Sequence, residues 1–200
     1  MELRKMRIFS SIALAVGGFV FLAAQSVAFA GSYTSAGTSY TGSEEFPGTS
    51  GNYLASVATY TGKGPGGQYA GQGISAFEPV PGSGCNMMGS PIAQANCPID
   101  GRTDGCLYQA VGGASENTYQ GPLDVETFER VAGSQSEVCI DFSSTSGPPY
   151  NTLGTMVDQR TGGTGRFKGK TGTITTVVHG QIMTMDPAGN GFSWYRSVGQ

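Results

Sequence analysis

Three groupings in this chain have residue types that could do chemistry. Asp124, Glu126 and Glu129 are closely spaced acids, and on a strand Asp124 and Glu126 would share a face, as general acid/base pairs do. A solvated strand face is the plainer outcome for such acids. His179, the only histidine, stands before Gly180 near a strand end, as a surface residue or as a pocket acid/base. Gly62-Lys63-Gly64-Pro65-Gly66-Gly67 satisfies G-x-G-x-x-G. A dinucleotide site needs that run between a strand and a helix, and no helical pattern follows it. Residues 165–171 read G-R-F-K-G-K-T, but Thr164 stands where the first P-loop glycine belongs. No Ser sits in a G-x-S-x-G elbow. Met87-Met88 and Met183-x-Met185 suit gap filling in a core better than metal ligation. No cofactor and no metal site is expected.

The elements that must position these residues are short strands. Of 200 residues, 33 are Gly and only 12% are charged, which excludes a coiled coil and argues against a helix bundle. Ten Phe, nine Tyr and one Trp supply a core, so charge-driven disorder is excluded too. Runs rich in β-branched and aromatic residues lie at 53–60, 72–80, 106–111, 123–130, 137–142, 153–160, 171–179, 181–185 and 192–196. Turn residues separate them. In 137–142 Val138, Ile140 and Phe142 fall on one face and the acids on the other, which predicts a half-buried strand. The run 171–178 could face a core on both sides. Many short strands at regular spacing predict an all-β fold, an antiparallel barrel of about eight strands.

Residues 1–30 read as a cleaved signal peptide. Arg4, Lys5 and Arg7 precede an apolar run at 12–24, and Ala28-Phe29-Ala30 offers a cleavage site before Gly31. The run is shorter than the roughly 20 residues of a spanning helix. Without this segment 8 basic and 13 acidic residues remain, a net charge of −5. That balance offers no footprint for nucleic acid or anionic lipid. The expected location is periplasmic or secreted, with no membrane contact after cleavage. Residues 31–52 read as a flexible lead-in or a first irregular strand, and 53–200 as one barrel domain with an insertion at 81–105. Cys85, Cys97, Cys106 and Cys139 suit two disulfides in an oxidising compartment. The pairing expected from position is Cys85–Cys97 within the insertion and Cys106–Cys139 between strands.

A weak repeat links Gly67-Gln68-Tyr69-Ala70-Gly71 to Gly165-Arg166-Phe167-Lys168-Gly169. In each, glycines flank an aromatic that could fold inward and plug a barrel end. The longer stretch Thr161-Gly162-Gly163-Thr164-Gly165-Arg166-Phe167-Lys168-Gly169-Lys170-Thr171-Gly172 resembles the Gly-rich signature of the dirigent and allene oxide cyclase-like barrels. It is also similar to a segment of bacterial exported proteins related to them. The motif positions are Gly163, Gly165, Phe167, Gly169 and Gly172. Lys170 and Thr171 depart from the Ala and Arg usual in plant dirigent proteins. The resemblance implies an eight-stranded, calycin-like antiparallel barrel with a mostly apolar cavity. It also implies cofactor-free ring closure or guided coupling of hydrophobic molecules, and in some members homo-oligomers.

Three functions follow as expectations: a protein binding a hydrophobic small molecule in the barrel, a cofactor-free cyclase or dirigent-type enzyme, or a structural or surface-assembly protein. The catalytic candidates are Asp141, Glu126, Arg130, Arg166, His179 and Tyr195. Two or more of them in one cavity would favour an enzyme, and a wholly apolar cavity would exclude one.

Overall fold

The computed structural model describes residues 31–45, 52–83, 85, 95–97, 102–142, 146–186 and 190–200. The expected signal segment lies outside the described residues. The fold is all-β, with ten strands and one three-residue 3-10 turn among the described residues. In chain order they are β1 (Tyr33–Glu45), β2 (Asn52–Gly64), β3 (Gly67–Pro79), β4 (Ala95–Cys97), β5 (Arg102–Tyr119), β6 (Val125–Arg130), β7 (Gly133–Asp141), β8 (Tyr150–Gly163), β9 (Gly172–Met185) and β10 (Gly191–Gly199).

Every pairing is antiparallel, and β3 returns to β5 so that the sheet closes on itself as an eight-stave barrel. β6 and β7 are successive halves of one stave. β6 pairs with residues 114–118 of β5 and β7 with residues 105–110, and both continue along β8. At the join, Ser136 Oγ accepts from the Val157 N–H and donates to its carbonyl, so the interrupted ladder stays satisfied. β4 lies outside the ring, paired with the start of β5 where β3 has ended.

Residues 31–45 are not a flexible lead-in. They supply β1, a full stave paired on both edges, to β2 and β10. The barrel therefore begins at Tyr33 rather than at residue 53. β1 shows no apolar alternation because its inward positions after Tyr33 are Ser35, Gly37, Ser39 and Thr41. Gly37 is required there, since a Cβ would meet the Tyr60 Cβ at 2.6 Å. Residues 62–67 form a hairpin end instead of a phosphate loop: Gly64 pairs with Gly67 around Pro65-Gly66, and Gly67 takes φ +104.

Two burial expectations change. β9 alternates between the interior and solvent, and Val177 is 40% exposed, so it does not face a core on both sides. β7 is the strand covered on both faces. Val138 and Ile140 point into the barrel, while Cys139 on the outer face packs with Leu107 and Val80, and Asp141 is buried.

The disulfide pairing is also corrected. Cys85 is bonded to Cys106, with Cα atoms 5.6 Å apart, which excludes both expected pairs. The cause is the β3–β5 ladder. It continues through Val80 N–H to the Leu107 carbonyl and so brings the exit of β3 back beside Cys106. The tie spans 21 residues and constrains the unfolded chain by about 3 kcal/mol in the loop-entropy model. Cys139 is disulfide-bonded as well.

Candidate functional site

The barrel interior has three levels. At one end Tyr33, Tyr69, Tyr119, Phe128, Phe167 and Ile174 form an aromatic plug. Phe167 comes from the 3-10 turn between β8 and β9, is 0% exposed, and stacks on Tyr119 with ring centroids 4.7 Å apart. Tyr119 in turn meets Tyr69 at 5.3 Å. Both aromatics of the Gly-flanked repeat thus converge on one ring. Such contacts contribute about 0.5–1.5 kcal/mol each beyond the area they bury.

The motif glycines allow that turn. Gly165 has φ +52, and a Cβ there would overlap the Asp124 carboxylate. Asp124 Oδ2 accepts from Arg166 Nε at 2.6 Å and from the Arg166 backbone N–H, and Arg166 Nη1 donates to the Gly66 carbonyl. Arg166 therefore clamps the plug from outside. Its hydrogen bonds hold the Asp124 carboxyl below the usual carboxylate range. The acids 124 and 126 both lie at this end, but they do not work as a pair: Asp124 faces Arg166 and Glu126 faces inward.

Glu126 is 0% exposed beneath the plug. Its Oε1 accepts from Tyr33 Oη at 2.9 Å and Arg160 Nε at 2.6 Å, and its Oε2 accepts from Tyr119 Oη at 2.7 Å. Arg160 Nη2 donates to Tyr33 Oη at 2.8 Å and Nη1 to the Thr171 carbonyl. Burial alone would lower the Arg160 pKa, but the Glu126 carboxylate and Tyr33 outweigh it and hold the guanidinium charged. Burial, with the carboxylate close by, pushes the Tyr33 phenol up to about 12. Of these four side chains only Tyr33 reaches the cavity. The network is satisfied and sealed.

Above the plug lies a cavity of about 230 Å³. Its far chamber is apolar, built from Leu54, Phe77, Tyr108, Ile140, Met156 and Ile182. Its middle band is polar. Arg130 donates from Nε and Nη2 to both Asp158 oxygens, at 2.8 and 3.2 Å, and from Nη1 to Ser75 Oγ at 3.1 Å. Tyr60, Ser115, Asn117 and Tyr195 complete the band. Burial pushes the Tyr60 phenol up to about 12 and raises that of Tyr195. Asn117 is 5% exposed, and its Oδ1 has no partner among the described residues. Serines and threonines from β1, β2, β8, β9 and β10 line the remaining wall.

The six sequence candidates therefore separate into four places. Arg130 and Tyr195 face the cavity. Glu126 is sealed below it, and Arg166 is outside the plug. Asp141 and His179 lie together on the outer face of the barrel with Arg196. Tyr33, Tyr60, Asn117, Asp158 and Arg160 escape a motif search. A charged residue falling in register with an inward apolar neighbour, as Asp158 and Arg160 do with Met156, is the one signal that points to them.

No family model, curated protein or solved structure matches this chain.

Proposed function

We propose that this protein is exported and binds one small, neutral, mainly apolar molecule carrying a hydroxyl group inside the barrel. The observation that carries the proposal is the cavity itself, an apolar chamber beside a polar band within a closed ring. Its volume lies just under the roughly 300–1,000 Å³ usual for drug-sized ligands, which suits a small one. The Arg130–Asp158 pair is internally neutralised, so neither a cation nor an anion gains from entering. A ligand hydroxyl answers the Asn117 carbonyl oxygen, which otherwise has no donor among the described residues. The barrel and the Gly-rich plug turn also support kinship with the dirigent and allene oxide cyclase-like proteins.

One observation favours an enzyme as the second reading: Arg130 and Tyr195 reach the same cavity, beside Asp158 and Tyr60. A cyclase or dirigent-type reaction would use those groups to position and polarise a bound molecule without a cofactor. The surface-assembly reading needs a long free sheet edge, and among the described residues the ring of staves is closed and only the three-residue β4 keeps an unpaired side.

Native mass spectrometry of protein recovered from the medium or periplasm tests the proposal. The expected species starts at Gly31, lacks four hydrogens, and carries one small molecule per chain. An Ile140→Trp variant, whose indole fills the chamber, should come bare. Wild-type protein that is always bare would overturn binding. A bound molecule that the wild type converts, but a Tyr195→Phe variant only retains, would establish the enzyme.

A further inference from the structure

The outer face of β8–β10, bordered by the end of β7, carries a second surface. Strand register places Leu153 beside His179 and His179 beside Arg196, and in the next row Asn151 beside Gln181 and Gln181 beside Trp194. Asp141 follows Ile140, which pairs with Thr152, so it extends the second row next to Asn151. Alternation directs these side chains to the outer face, and Trp194 borders both this face and the cavity. They border a groove of about 410 Å³. Gln181 Nε2 donates to Asn151 Oδ1 at 2.9 Å, which fixes both amides. Trp194 is 40% exposed at the end of that row. Phe192, two residues back on the same face, pairs with Tyr40 of β1, and these rings are 44% and 58% exposed.

From this arrangement we propose that the face binds a neutral oligosaccharide of pyranose units. A pyranose ring has a face of C–H groups that packs on an indole and a rim of hydroxyls that both donate and accept. The groove supplies the matching set: a half-exposed indole, a fixed amide pair, an imidazole and a guanidinium. Charges of both signs flank the groove, so a neutral ligand fits better than an ionic one. The aromatic strip through Phe192 and Tyr40 gives a second unit its own platform. A peptide adding as a strand is excluded here, because the backbone groups of these staves are already paired within the ring.

Trp194 is the only tryptophan in the chain, and because it borders both the groove and the cavity, Asn151, which lines the groove alone, separates the two sites. The probes are five linear hexasaccharides, the β-1,4-linked glucose, N-acetylglucosamine, xylose and mannose series and the α-1,4-linked glucose series. Each is titrated into the full mature protein to about 5 mM, with calorimetry in parallel. At least one should shift the emission saturably. Asn151→Ala, which keeps the indole, should weaken that ligand at least about tenfold, as should Trp194→Ala by calorimetry, while Trp194→Phe should retain part of the affinity. Silence across the panel overturns the proposal. So does binding that persists undiminished in both alanine variants.

Discussion

Replacing Arg160 by methionine tests whether the Glu126 network holds the closed end of the barrel together. Methionine keeps most of the volume but removes the cation 2.6 Å from Glu126 Oε1. Both partners are within 2% of full side-chain burial, so the remaining carboxylate has no water to turn to. Removing one partner of such a pair costs about 3–5 kcal/mol. The Thr171 carbonyl and Tyr33 hydroxyl each lose a donor as well, so a loss near 4 kcal/mol is expected. Glu126→Gln alone strands the guanidinium instead and should cost a similar amount. The double variant strands neither charge, and glutamine can still accept from the tyrosine hydroxyls. Its loss should therefore fall at least about 2 kcal/mol short of the sum of the singles. Urea unfolding at pH 7 measures all three against the wild type. A loss below about 1 kcal/mol for Arg160→Met, or additivity in the cycle, would refute the reasoning.

Two further outcomes follow from the same end of the barrel. Gly165→Ala places a methyl on the Asp124 carboxylate at φ +52, so it should destabilise by at least about 1–2 kcal/mol and expose the Phe167 plug, read as faster amide exchange at residues 163–169. The Tyr33 and Tyr60 phenols are held protonated up to about pH 12 in the folded chain, above the ordinary 10.0. Between those values the folded state keeps protons that the unfolded state has released, so stability is complete below about pH 10 and falls as pH rises toward 12. Urea midpoints from pH 8 to pH 12 check this, and a flat profile would contradict it.

The strand pattern was readable wherever inward positions are large and apolar, as in β7. β1 was not, because hydrophobic periodicity disappears when the inward residues after Tyr33 are Ser35, Gly37, Ser39 and Thr41. Residues 171–179 and 181–185 read as two strands but are one stave, since Gly180 is buried within β9 and a Cβ there would meet the Trp194 carbonyl at 2.5 Å. Glu126 was visible as chemistry but not its confinement, because its partners lie 93 residues away at Tyr33 and 34 away at Arg160. Arg160 reads as the end of a strand running out to Gly162-Gly163. Only the β6–β8 register turns it inward. Spacing suggested that Cys85 closes on Cys97, whereas the return of β3 onto β5 decides the bond.

The hollow in the barrel follows from small inward residues set among large ones. β1, β2, β3 and β10 include Ser35, Ser39, Ser56, Ala58, Ser75, Ser193 and Ser197 among their inward positions, while β5 through β9 include Tyr108, Phe128, Ile140, Met156 and Ile182. Where the small residues gather, the large ones do not fill the space, and the difference is the cavity. A dry void of about 230 Å³ would cost about 5 kcal/mol at the rate measured for core truncations, a large part of what a domain of this size has to spare. Hydroxyls along the small-residue wall lower that cost by letting water occupy the space until something better enters. Filling the space with leucine or phenylalanine at the serine positions would make a tighter barrel. A chain that instead keeps serines along the interior of β1, β2, β3 and β10, and seals only one end with an aromatic plug, has spent stability on room. The plug carries the fold, and the room above it is where a ligand belongs.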